Sequence, residues 1–328
     1  MLPAIERLRQ LDPAVFRPGR TIGIIIIAPT RELVIQLSQE ASKLLTFHHG
    51  YTVLPLYGGV SIQRDRAILL HRPIPTILIS TPGRLCDLLR DTSSFRVHGN
   101  KNFMDVVNEC PIVIFDEADR LVEGFMTEIN TILSYLPRIE KRQTMLFSAT
   151  ISTKLKQVLR MGHPKILPPD YMTIDCVNEN DVTTQTNQRV TQTFVQLTNM
   201  TLFVSGFLSI VEAVMKNNSS DPNARKSKVI IFLPTAKLVK FFTEVLNYRV
   251  SLPAAQVYDV YSIHSRMSQG SRNRASTQFR ASKRNHSILL SSDVSARGVD
   301  YPDVTLVVQV RTNCVLGGCF HFPYECSA

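Results

Sequence analysis

The chain has 328 residues, 44% apolar and 20% charged, a balance that is globular rather than disordered and leaves room for two domains of ordinary size. Thirty-seven basic residues against 27 acidic ones give a net charge of +10, which favours a polyanionic partner without naming one. The longest apolar run, residues 22–29, falls far short of the roughly 18 residues that a membrane-spanning helix needs, so no membrane partner is expected.

The chain opens on Met-Leu-Pro-Ala-Ile-Glu-Arg-Leu, which reads as the middle of a helix and not as a secretory or transit signal. Apolar runs then recur at residues 22–28, 52–56, 76–79, 112–115 and 144–147, with compositions suited to strands buried on both faces of a sheet. Helical periodicity separates several of them. In residues 32–45, Leu33, Leu37, Ala41, Leu44 and Leu45 share a face; in residues 125–136, Phe125, Ile129, Ile132, Leu133 and Leu136 do. Strand–helix alternation predicts a parallel, doubly wound sheet.

From residue 175 to 192 the apolar runs stop, and the stretch reads as an exposed polar connection. Alternation resumes with strands predicted at 193–197, 228–233, 257–263, 287–290 and 304–310 and helices at 201–215, 237–246 and 268–279. Residues 217–223 are a surface loop by their turn chemistry. The expected organisation is therefore two α/β lobes, 1–172 and 192–310, a linker at 173–191 and an irregular tail at 311–328.

Short polar turns follow the strands: Pro29-Thr-Arg-Glu, Gly58-Gly59, Thr81-Pro-Gly-Arg84, Asp116-Glu-Ala-Asp119, Ser148-Ala-Thr150, Pro234-Thr235 and Ser291-Ser-Asp293. In an open α/β sheet such turns gather along the carboxyl edge, where ligands bind. Hydroxyls, arginines and backbone N–H groups at helix starts hold phosphates. Paired acids at a strand end suit Mg²⁺, a hard cation that prefers oxygen and reaches nucleotide phosphates. Six cysteines (86, 110, 176, 314, 319 and 326) form no CxxC pair, which argues against zinc and for reduced thiols in a reducing compartment.

With these motifs in this order, the sequence resembles the DEAD-box RNA helicases, a superfamily 2 group of ATPases with two RecA-like lobes. Pro29–Leu33, Gly58-Gly59, 81–84, 116–119 and 148–150 match the first lobe's motifs; 231–235, Gln269-Gly-Ser-Arg272 and 292–300 match the second lobe's. The resemblance implies ATP and Mg²⁺ as cofactors and RNA as partner. It assigns catalysis and the metal to Asp116 and Glu117, the nucleotide ribose to Asp300, and coupling to Asp119, bonded to the hydroxyls of Ser148 and Thr150. RNA backbone contacts fall to Pro29, Thr30, Arg31, Gly59, Thr81, Arg84, Thr235, Gln269 and Arg272. A run without acids between Asp259 and Asp293, carrying Arg266, Arg272, Arg274, Arg280, Lys283 and Arg284, adds positive charge beside the second-lobe motif. Wording at 263–269 and 297–302 is similar to the fungal mitochondrial branch, which implies the mitochondrial matrix; the alternative compartment is nuclear or nucleolar.

The sequence also departs from that family. No G-x-x-x-x-G-K-[ST] phosphate loop occurs in the 328 residues, and the tail after Val310 replaces the family's arginine-finger motif. The resemblance therefore implies an ATP-dependent RNA helicase whose turnover is impaired in this copy, with a non-catalytic RNA-binding fragment as the alternative. A dehydrogenase of the dinucleotide-binding kind is excluded, since no G-x-G-x-x-G follows any strand.

Overall fold

The computed structural model describes residues 1–90, 96–161, 166–174, 191, 193–197, 199–216, 227–250, 258–282, 286–292, 301–311 and 318–322. The chain divides into two compact units, Met1–Ile174 and Asp175–Ala328, each an α/β sandwich around its own sheet. Of the linker read from sequence at 173–191, residues 175–190 lie outside the described residues, as does the loop at 217–223.

The first unit opens with helix α1 (Leu2–Arg9), which places Pro3 in its first turn, where a missing N–H costs nothing. Strand β1 (Ile24–Ile27) is four isoleucines, each buried. It alternates with α2 (Arg31–Leu44), β2 (Val53–Leu56), α3 (Ile62–His71), β3 (Ile77–Ser80) and α4 (Pro82–Arg90). A small hairpin of β4 (Arg96–Val97) and β5 (Lys101–Asn102) leads to α5 (Phe103–Asn108). The central β6 (Ile112–Phe115), α6 (Ala118–Gly124), α7 (Met126–Tyr135), β7 (Gln143–Leu146) and α8 (Thr153–Met161) complete the unit.

The first sheet has the order β2-β3-β1-β6-β7, and every pairing is parallel. Strict alternation along β1 and β6 feeds two cores. Ile25, Ile27, Val113 and Phe115 join the cluster under α4–α7; Ile24, Ile26, Ile112 and Ile114 join the cluster with Ala4, Leu8, Leu33 and Val34 of α1 and α2. Gly23 lets α1 approach, because a Cβ there would stand 2.7 Å from Leu8 and 2.8 Å from Phe16. Pro55 sits in β2, an edge strand, where a missing donor is tolerated.

The second unit runs β8 (Thr193–Leu197), α9 (Phe203–Lys216), β9 (Ser227–Phe232), α10 (Ala236–Val250), β10 (Asp259–Ile263), α11 (Gln269–Ala281), β11 (His286–Ser291), β12 (Leu306–Arg311) and β13 (Gly318–Phe322). Its sheet order is β10-β11-β9-β12-β13-β8. The first four strands are parallel; β13 is antiparallel to both β12 and β8. Here the structure corrects the sequence reading, which expected no strand after residue 311. The reason is physical: a strand slotted between two others forms through backbone hydrogen bonds that almost any residue can make. The alternation Phe320-His321-Phe322 is too short to announce it.

Candidate functional site

Because β1, β2, β3, β6 and β7 are parallel and in register, their carboxyl ends lie along one edge of the first sheet. That edge gathers every first-lobe residue singled out from sequence. The turns there are fastened to neighbouring strands: Asp116 N donates to Ile27 O at 2.9 Å, Thr81 N to Leu56 O at 3.1 Å, and Ala118 N to Phe147 O at 3.0 Å.

At the end of β6, Asp116 is partly buried and its Oδ1 accepts from Glu117 N at 3.0 Å. Burial pushes its carboxyl above the ordinary value of 3.8, Glu117 N opposes the rise, and the Glu117 charge adds to it. Glu117 caps α6 from the left-handed region, at φ 49° and ψ 53°, an uncommon setting for a side chain of this size. Its Oε2 accepts from Arg120 Nη1 at 3.1 Å, a partner that sequence reading did not pick out. Asp119 is one residue inside α6 and buried, so it is not the helix cap.

Thr150 Oγ1 donates to Asp119 Oδ2 at 2.8 Å and ties the turn after β7 to the acidic turn after β6. Ser148 does not share in this. Its hydroxyl donates to Thr150 O at 2.7 Å and closes its own turn. The expectation that both hydroxyls bond Asp119 therefore holds for Thr150 alone; the short Ser-Ala-Thr spacing lets Ser148 reach the backbone first.

At the ends of β1, β2 and β3 stand Pro29, Thr30, Arg31, Gly59, Thr81 and Arg84. Thr30 caps α2, accepting from Leu33 N at 3.2 Å. Gly59 has φ +86°, and a Cβ on it would lie 2.3 Å from Arg31 Nη1, so only glycine lets the guanidinium lie against this loop. Thr81 is buried where β3 passes into α4. Arg84 is buried too, with Nη1 on Asp65 Oδ2 at 2.5 Å and Nη2 on Val60 O at 2.5 Å. The structure thus gives Arg84 a task inside the unit, holding the loop that carries Gly59. Asp65 was missed by sequence reading, because a lone acid on a polar helix carries no signal of burial. Burial raises its carboxyl even against the attraction of Arg84.

In the second unit, Thr235 follows β9 and caps α10, accepting from Leu238 N at 3.2 Å. Gln269 and Arg272 begin α11 on one buried face, and Gln269 Nε2 donates to Asn273 Oδ1 at 2.9 Å. Since β9, β10 and β11 are parallel, these three share the carboxyl edge of the second sheet. Asp300 lies outside the described residues.

The donor set can be weighed against Mg²⁺. Two carboxylates stand at the β6 end, and among the described residues no group of three or more His, Cys, Asp or Glu side chains could hold a metal ion. Such a pair does not make a protein cage. It fits a small cation that keeps most of its waters and leans on a bound phosphate. No helix among the described residues is long and apolar enough to cross a membrane.

Comparison with known proteins agrees with this arrangement. The DEAD/DEAH box helicase model matches residues 1–158, and the helicase conserved C-terminal domain matches residues 209–315. The chain belongs to the DEAD-box helicase family. It is 37% identical over 313 residues to a rice protein named DEAD-box ATP-dependent RNA helicase 26, covering 94% of this chain and 51% of that one. A Kluyveromyces lactis protein named ATP-dependent RNA helicase HAS1 is 34% identical over 310 residues, with 94% and 54% covered. The chain thus spans about half the length of the curated relatives it matches. In fold it is similar to Mss116p bound to ssRNA and AMP-PNP, with a TM-score of 0.70, 24% identity, and 94% and 57% of the two chains covered. Saccharomyces cerevisiae Dbp5 bound to RNA and ADP BeF3 gives a TM-score of 0.60 at 19% identity, covering 90% and 64%. Both likenesses place two RecA-like lobes in this DEAD-box chain.

Proposed function

We propose that the protein is an ATP-dependent RNA helicase, remodelling RNA duplexes in step with ATP hydrolysis. The observation that carries this reading is the bond from Thr150 to Asp119. It joins the acidic turn to the Ser-Ala-Thr turn on the edge where Arg31 and Gly59 also stand. A change in what the acidic turn binds is thereby transmitted to a neighbouring turn without crossing the core.

In this reading Asp116 would hold a Mg²⁺ ion, which would supply charge neutralisation at the nucleotide phosphates. Glu117 orients the attacking water, and its αL backbone together with Arg120 fixes where the carboxylate stands. Asp300 meets the ribose. Pro29, Thr30, Arg31, Gly59, Thr81, Thr235, Gln269 and Arg272 line the RNA backbone path. Arg84 supports that path by holding Val60 and Asp65.

The 328 residues themselves lack a G-x-x-x-x-G-K-[ST] loop, whose N–H nest and lysine would grip the β- and γ-phosphates. An arginine finger is worth about 10³–10⁵ in rate in related hydrolases. These residues alone are therefore expected to release phosphate from ATP at a negligible rate. The same chain preceded by a strand and a G-x-x-x-x-G-K-[ST] turn, and followed by an arginine-bearing last motif, is expected to recover RNA-stimulated turnover. Glu117→Gln in that extended chain should abolish turnover while leaving RNA binding intact. Turnover that is unaffected by Glu117→Gln would remove the catalytic assignment.

A mitochondrial location rests on the similarity of residues 263–269 and 297–302 to the fungal mitochondrial branch, which the plant relatives do not single out. A fluorescent fusion of the whole gene product that co-localises with the nucleolus would contradict it.

A further inference from the structure

His264, the first residue after β10, is absent from the set of residues read as contacting RNA. It stands on the carboxyl edge of the second sheet, in a turn closed by Met267 N donating to His264 O at 3.1 Å. The end of β11 runs beside it, with Ser292 N donating to Ile263 O at 3.2 Å. Two buried polar atoms here have no hydrogen-bond partner, His264 Nδ1 and Ser292 Oγ, and Ser292 is only 6% exposed. A buried donor or acceptor without a partner costs free energy, and each such group calls for an explanation.

The charges around the imidazole are all of one sign among the described residues. Arg266 comes from its own turn, Lys240 from α10 and Arg272 from α11; the facing end of β11 contributes the uncharged Ser292. The carboxylate on α10, Glu244, reaches Lys240 at 3.9 Å with both side chains largely exposed. Asp259 sits at the opposite end of β10, bonded to Tyr261 and Ser282. Burial first, and then the three cations, hold His264 below its ordinary value of 6.5.

We propose that His264, with Lys240 and Arg266, forms an anion subsite for one phosphodiester of the RNA strand, completed when the imidazole takes up a proton as the phosphate arrives. This deepens the RNA reading above and rests on it. Ser292 Oγ supplies a neutral donor to the same anion, and the neighbouring Arg272 joins the subsite to the Gln269–Arg272 turn.

The sign follows from linkage. A phosphate beside the ring favours imidazolium, so the complex holds more protons than the free protein. Affinity therefore rises as pH falls, and the effect is lost above the bound-state pKa. One linked proton can change affinity by at most about tenfold per pH unit.

The test is fluorescence anisotropy of a short labelled oligouridylate with the full chain at constant low salt, from about pH 8 down to about pH 6. The expected result is a gain of about three- to tenfold in affinity towards the acid end. His264→Gln, which cannot be charged, should bind as the parent does at pH 8 and stay flat. Binding by the parent that does not change with pH, or an equal slope in His264→Gln, overturns the subsite and leaves the RNA reading standing. Absence of binding at every pH overturns both.

Lys240→Met guards against a folding artefact, since Lys240 is exposed. Removing a cation that opposes the proton should move the midpoint of the pH response towards neutrality. A midpoint that does not move also overturns the proposal.

Discussion

At the end of β6, the buried strand delivers Asp116 to an edge where water is scarce, and the carboxyl responds by titrating above its ordinary 3.8. A folded state that holds the proton more tightly than the unfolded state loses stability as pH rises through that range. Ionised Asp116 thus costs the first unit stability at neutral pH. Asp116→Asn keeps an oxygen for Glu117 N and removes the charge. It should raise the melting temperature of that unit by about 2–4 °C at neutral pH, with the gain vanishing below about pH 4. Differential scanning calorimetry at the two pH values checks this; equal gains at both would mean that charge is not the cause. The acids were legible in sequence because three carboxylates in four positions end an apolar run. The partners that set their behaviour, Arg120 and Thr150 over Ser148, were not, since they depend on which hydroxyl reaches across between turns.

Among the elements, α3 and α4 show how the edge is braced. Asp65 on α3 and Arg84 on α4 form a pair whose side chains are each 6% exposed. Burial raises Asp65 in spite of its partner, the mark of a pair whose desolvation rivals its attraction. Breaking one side should cost far more than removing both. Arg84→Met is expected to lower stability by about 3–5 kcal/mol, and Asp65→Leu with Arg84→Met by much less. Urea denaturation of the two variants decides it: if the single variant is no worse than the double, the pair is not the brace. Sequence periodicity found every strand of the first sheet and β8 to β12 of the second, because the central ones are continuous apolar runs, as in Ile24–Ile27 and Ile112–Phe115. It located α2 within a residue of Arg31–Leu44 for the same reason. It missed β13, whose place is set by the two strands flanking it, and it left α3 unread, since that helix buries only Asp65 and Leu69.

For the whole molecule, two units each present a parallel sheet edge carrying hydroxyls, arginines and helix starts, on a chain of net charge +10. That combination was legible because motif order survives in the sequence even where contacts do not. What composition could not reveal is that several of the named residues are caps or braces before they are contacts: Thr30 and Thr235 cap helices, and Arg84 is enclosed. The central claim is that these edges grip the backbone of RNA. The direct measurement is the affinity of the full chain for a labelled single-stranded RNA across a salt series, repeated with an unrelated RNA sequence and with DNA of the same length. Log affinity should fall linearly with log salt, by about 0.7 for each phosphate engaged, base sequence should change it little, and RNA should be preferred over DNA. Affinity that ignores salt, or that follows base sequence instead of the backbone, would contradict it.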